Sequence, residues 1–129
     1  MTSDIPPESD GGFARWAALR AGAVLREVRA EVGFDAPARL RAAGDLRAHE
    51  LLVELIGRWR PADVVLSEEG VRDAAPRIGA TRVWIVDPLD GTREFAEPGR
   101  TDWAVHVALW QRGRGLVAGA VALPARDEI

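Results

Sequence analysis

The chain has 129 residues, 47% of them hydrophobic, which is material for one compact domain with one modest core and not for two. It has no cysteine and all 17 basic residues are arginine. Disulfides, thiolate metal sites, thiol nucleophiles and Schiff-base lysines are therefore excluded, and any metal is held by oxygen or imidazole. The net charge of -3 mixes 20 acidic with 17 basic residues and gathers no dense arginine run, which argues against a nucleic-acid polymer as partner.

Residues 1–12, "MTSDIPPESDGG", are rich in Pro, Ser, Asp and Gly and predict a flexible leader ahead of a folded portion over 13–129. They contain no basic stretch followed by an apolar one, and no later run approaches the roughly 18 apolar residues of a spanning helix. The expectation is a cytoplasmic protein with no membrane partner. From Phe13 to about Val32, the residues Phe13, Trp16, Ala17, Ala23, Val24 and Val28 recur at helical spacing, with Ser9 or Asp10 as cap. Residues 33–43 read as a connector. "GDLRAHELLVELIGRWR", Gly44 to Arg60, predicts a second helix with Leu51, Leu52, Leu55, Ile56 and Trp59 as its apolar positions, stopped by Pro61.

The period then changes. "DVVLSEEG" predicts a short strand ending in acids, and "TRVWIVD" a second strand, apolar on consecutive positions and so expected to be buried on both faces. "REFAEPGR" reads as a short helical turn or loop. "DWAVHVALWQ" alternates as a strand does, and "GLVAGAVAL" follows across "RGRG" as the second arm of a hairpin. Helices first and strands after predict an α+β domain, with N-terminal helices packed on a largely antiparallel sheet. The chain stops at "PARDEI" directly after a buried-looking strand, as part of a longer domain would.

The chemistry concentrates in "DPLDGT". Asp87 stands where an apolar strand is expected to end, since Pro88 forbids its continuation, a rigid place to present a carboxylate, and Asp90 follows three residues later. Gly91 permits close backbone approach, and Thr92 begins a segment whose amides would face an anion if it starts a helix. Carboxylates beside an anion site call for a cation between them. Upstream, Glu68 and Glu69 end the previous strand, so two strand ends could gather three or four carboxylates that would repel one another unless neutralised. Magnesium prefers oxygen ligands and substrate phosphate, which makes this a metal-assisted phosphatase constellation.

"WIVDPLDGTREF" together with "LSEEG" resembles the inositol monophosphatase superfamily of magnesium-dependent phosphatases, and most nearly its CysQ-type 3'(2'),5'-bisphosphate nucleotidase branch. "GDLRAHELL", "DWAVHVALW" and "GAVALP" extend the resemblance from about Gly44 to Pro124. It implies the N-terminal portion of an αβαβα layered sandwich. It further implies metal ligation by Glu68, Asp87, Asp90 and the Leu89 carbonyl, with two or more magnesium ions. Gly91 and Thr92 would bind the substrate phosphate, and Asp45 would help hold or activate the attacking water, so that Asp45, Glu68 and Asp90 are the implied catalytic residues. The family's C-terminal half, about as long again, carries a "WD-A-A-G"-like motif that has no counterpart in these residues.

The implied substrate is a small phosphomonoester, the 3'-phosphate of adenosine 3',5'-bisphosphate or of 3'-phosphoadenosine 5'-phosphosulfate. Inositol monophosphate or a sugar bisphosphate is the alternative, as is an inactive half-domain, and a homo-oligomer completing the site in trans stays open. Blander readings stand beside these. "DPLDGT" is also a turn signal, and "LDGT" occurs in the haloacid dehalogenase signature, where the aspartates are two apart and early in the chain. Glu69 is expected to be solvated, Asp45 could simply cap the second helix, and His49 could orient Asp45 or be structural. His106 reads as a packing or surface residue. Trp59, Trp84, Trp103 and Trp110 read as core and rim, unless one faces an adenine ring, and Arg93 as a surface ion pair or a phosphate contact.

Overall fold

A computed structural model describes residues 4–67 and 79–129. Helix α1 (Asp10–Val32) starts behind Ser9, whose hydroxyl accepts a hydrogen bond from the Gly12 amide, and ends at Gly33, which takes a positive φ of 72°. Helix α2 (Pro37–Trp59) begins seven residues earlier than the apolar pattern predicts, inside the expected connector. Its start has no side-chain cap, but Pro37 near the N-terminus supplies a helical φ and lacks only an amide that would have no partner there.

Strands β1 (Val64–Ser67), β2 (Arg82–Asp90), β3 (Ala104–Gln111) and β4 (Gly115–Ala122) form one sheet in that order. A one-turn helix α3 (Thr92–Phe95) leaves the end of β2, and a 3-10 turn (Pro124–Arg126) follows β4. β1 runs parallel to β2, while β2–β3 and β3–β4 are antiparallel, so helices pack on a mixed, mostly antiparallel sheet. The "RGRG" hairpin is as predicted.

Both helices lie on one face of the sheet, α1 over β3 and β4 and α2 over β1 and β2. Phe13, Ala17, Ala21, Leu25 and Val28 of α1 and Leu40, Ala48, Leu52 and Ile56 of α2 meet Trp84, Val86, Val105, Val107 and Leu109 from the strands. The Phe13 and Trp84 rings pack edge to face at 5.1 Å. Each large apolar side chain buried here contributes about 1.5–3 kcal/mol.

Two-sided burial of β2 holds only in part. Trp84 and Val86 are buried against the helices, whereas Ile85 on the opposite face is exposed. Leu116 and Val121 of β4 are exposed as well. Val83, on the same face as Ile85, is buried, so that second face is covered at the start of the strand and open at Ile85. Among the described residues, no helix is long and apolar enough to cross a membrane.

Candidate active site

Pro88 does not end β2, contrary to the sequence expectation. The strand continues to Asp90, and the pairing with β3 shifts register between Asp87 and Asp90. Proline has no amide to give a ladder, so the interruption falls where its absence costs no hydrogen bond. The Leu89 side chain is buried while Asp90 is exposed, and one oxygen of Asp87, Oδ1, is buried.

Gly91 then turns the chain in the left-handed region, φ 80° and ψ 45°. A Cβ there would lie 3.2 Å from the Asp102 carbonyl oxygen and 3.3 Å from Trp103 Cα, so glycine is required by conformation and by space. The Phe95 amide donates to the Gly91 carbonyl at 2.9 Å, closing the single turn of α3. Thr92 thus stands at the first position of that helix, directly after the aspartates.

Its hydroxyl has two acceptors within reach, Asp45 Oδ1 at 3.3 Å and the Leu89 carbonyl at 3.2 Å. One hydroxyl hydrogen serves only one acceptor fully, so the two share it, and the carbonyl keeps a second lone pair. The Thr92 side chain was missed in the sequence, where only its amide had a role. Asp45 does not cap α2; it lies inside the helix, well past Pro37, which removes the capping reading. Its neighbour Gly44 is buried, and a Cβ at that position would come within 2.7 Å of the Phe95 ring and 3.1 Å of Leu89. α2 and α3 therefore approach at the residue before Asp45.

Two histidines frame this group. His106 Nε2 lies 3.2 Å from Asp90 Oδ2, and in the β2–β3 register His106 stands opposite Asp87. Its side chain is partly exposed, in keeping with the surface reading, and meets one of the Asp90 oxygens there. His49 Nδ1 makes a 2.9 Å hydrogen bond with the buried Ser67 hydroxyl, tying α2 to the last residue of β1. Glu68 and Glu69 come next and lie outside the described residues.

The described donors are all oxygen: the carboxylates of Asp87 and Asp90 and the Leu89 carbonyl, from one four-residue run, with Asp45 beside Thr92. This chemistry fits a hard divalent cation. Among the described residues, no three acidic or histidine side chains gather closely enough to form a metal cage. A cavity of about 450 Å³ on the α1 side, lined in part by Arg29, Phe34, Arg100 and Trp103, contains none of these carboxylates.

The remaining expectations resolve simply. Trp84 and Trp103 are buried in the core, and Trp59 is partly buried against it. The exposed Arg93 pairs with Glu97 at 3.4 Å on the surface. At the opposite end of β2 from the site, Arg82 bridges Asp63 at 3.0 Å and Asp10 at 2.9 Å, and Trp84 Nε1 donates to Asp63 at 2.9 Å. The hydrogen bond from Arg82 holds the Asp10 carboxyl below the ordinary carboxylate range, and the pair of acids raises the Arg82 guanidinium.

The model of the inositol monophosphatase family matches residues 12–129. A 3'-phosphoadenosine 5'-phosphate phosphatase from Mycobacterium leprae is 53% identical over 126 residues, a match that takes in 92% of this chain and 46% of that protein. Mycobacterium tuberculosis SuhB superposes with a TM-score of 0.71 at 33% identity, covering 95% of this chain and 43% of that one. CysQ from Bacteroides thetaiotaomicron, described as a bacterial member of the inositol monophosphatase family, gives 0.65 at 35% identity, covering 84% and 40%. The chain thus spans about half the length of the curated relatives it matches.

Proposed function

The chain belongs to the inositol monophosphatase family, and on that premise we propose that it carries the metal-binding and water-activating portion of a phosphomonoester hydrolase. The observation that carries this reading is the Thr92–Asp45 contact, set directly beside the oxygen donors of Asp87, Leu89 and Asp90. The Leu89 carbonyl is a partner within the turn, whereas Asp45 comes from another helix, a contact the turn by itself would not supply.

In this reading Glu68, Asp87, Asp90 and the Leu89 carbonyl would hold magnesium, as two or more ions. Bound there, magnesium would neutralise charge on the phosphoryl group and make the attacking water more acidic. The protein's own groups do the rest. Thr92 Oγ1, within reach of Asp45 and the Leu89 carbonyl, would accept a hydrogen bond from the incoming water while its own hydrogen goes to Asp45, which would serve as the base for the water's proton. The amides of Gly91 and Thr92 would bind phosphate oxygens. Water forms the new bond to phosphorus, the ester oxygen leaves, and that oxygen takes up a proton.

The substrate we propose is the 3'-phosphate of adenosine 3',5'-bisphosphate, supported by the printed name of the Mycobacterium leprae relative. Its sulfated form, 3'-phosphoadenosine 5'-phosphosulfate, is a further candidate. A second reading is favoured by the coverage of the relatives: a half-domain that binds magnesium without turnover. The experiment is phosphate release by the purified chain with magnesium, comparing adenosine 3',5'-bisphosphate with inositol 1-phosphate and using Asp90→Asn as the blank. Release above the blank supports the hydrolase and its preferred substrate. Silence from a folded chain that still binds magnesium supports the half-domain.

A further inference from the structure

The short helix α3 is held at its far end by a residue of α1. Arg29 Nε donates to the Phe95 carbonyl at 2.9 Å, and its Nη2 donates to the Glu97 carbonyl at 2.7 Å and the Arg100 carbonyl at 3.0 Å. The guanidinium also lies over three rings, 5.0 Å from the centre of Phe34, 5.3 Å from Trp103 and 5.8 Å from Phe95. Three carbonyls spread along one loop need a planar fork of donors; the single ammonium of lysine cannot reach them together.

This grip connects to the site through Phe95. The same residue whose carbonyl Arg29 holds places its ring against Gly44, with 2.7 Å to a Cβ built there, and Gly44 precedes Asp45. At the other end of the turn, Thr92 reaches Asp45. α3 is only one turn long, so a shift at Phe95 is carried to Thr92 with nothing between to absorb it.

We propose that Arg29 is a positioning residue that seats Phe95 against α2 and so keeps the Thr92 hydroxyl within reach of Asp45. The inference rests on the phosphatase reading for its consequence, but not for its geometry. Burial disfavours the guanidinium charge, and three carbonyls with three ring faces offset that cost, an investment in one loop that the surface pairs of Arg93 or Arg100 do not share.

Two measurements test it. The first needs no metal or substrate: backbone amide and Thr92 methyl resonances of Arg29→Met and Arg29→Lys are compared with wild type. Changes concentrated at Asp45, Gly91, Thr92 and Phe95, with the β4 resonances still, are expected, larger for Met than for Lys. Unmoved Asp45 and Thr92 resonances, or changes spread evenly over the chain, would overturn the proposal. If Arg29→Met does not fold, Arg29→Lys alone decides on the same criterion.

The second is a double-mutant comparison of kcat. Arg29→Met is expected to lower kcat about tenfold with KM within about twofold, and to cause no further loss in a Thr92→Val background. An equal loss in both backgrounds would mean that Arg29 acts on the fold at large, and the positioning role would fall. If the wild-type chain releases no phosphate, the phosphatase reading fails while the resonance comparison still decides the role of Arg29.

Discussion

Thr92 and Asp45 meet at 3.3 Å although 47 positions separate them in the chain, one on the turn that follows β2 and the other inside α2. If this contact orients a water, the two side chains act as a unit. Thr92→Val and Asp45→Asn should each lower phosphate release by about 100-fold or more, and the double variant should lose little beyond either single change. Steady-state rates with adenosine 3',5'-bisphosphate, taken on chains with wild-type circular dichroism, check this; additive losses would separate the two roles.

Asp90→Asn should abolish magnesium-dependent turnover while leaving stability within about 0.5 kcal/mol, because the carboxylate is exposed and its side-chain partner His106 can still bond an amide. Removing magnesium with a chelator should silence wild type to the same level. Urea unfolding alongside the assay tells loss of the site from loss of the fold.

Gly91→Ala should cost about 1–2 kcal/mol from the left-handed backbone alone, before the crowding by Asp102 and Trp103 is added. The shift in urea midpoint measures it. A neutral substitution would mean that the turn relaxes to another conformation.

Much of this site is local, and that part was legible. An apolar strand, a proline, a glycine and two aspartates are contiguous, so Asp87, Asp90 and Gly91 declare themselves. What was not legible depends on packing between distant elements. The Thr92 hydroxyl finds Asp45 only because Gly44 admits Phe95, and His106 finds Asp90 through a strand register that no sequence pattern states. The start of α2 was misplaced because it carries no side-chain cap, and the two-sided reading of β2 failed at Ile85 because an apolar side chain carries no mark of whether its face is covered.

Acid sensitivity should trace in part to Asp10. Its folded pKa lies below the ordinary value, so its contribution is fully present above the unfolded carboxylate pKa of about 3.9 and is lost as pH falls through the lower folded value. Asp10→Asn should therefore destabilise the chain by a constant amount near neutrality, with the difference from wild type closing on the acid side. Urea midpoints from pH 7 downward test the sign; a difference that grows on acidification would contradict it.

The face of the sheet away from the helices carries exposed Ile85, Leu116 and Val121. The 129-residue chain alone should self-associate through it, and Leu116→Glu should shift the equilibrium toward monomer, as sedimentation over a concentration series would read. A wild-type chain that stays monomeric throughout would show that this face is tolerated in water.

The parallel pairing of β1 with β2 has a further effect on what sequence change can do here. Because the two strands point the same way, Ser67 and Val86 are register partners, and β1 ends beside the part of β2 that carries Asp87 and Asp90. β2 itself begins at the opposite edge, at Arg82, and a single-residue slip inside it would turn Asp87 and Asp90 to the wrong side of the sheet.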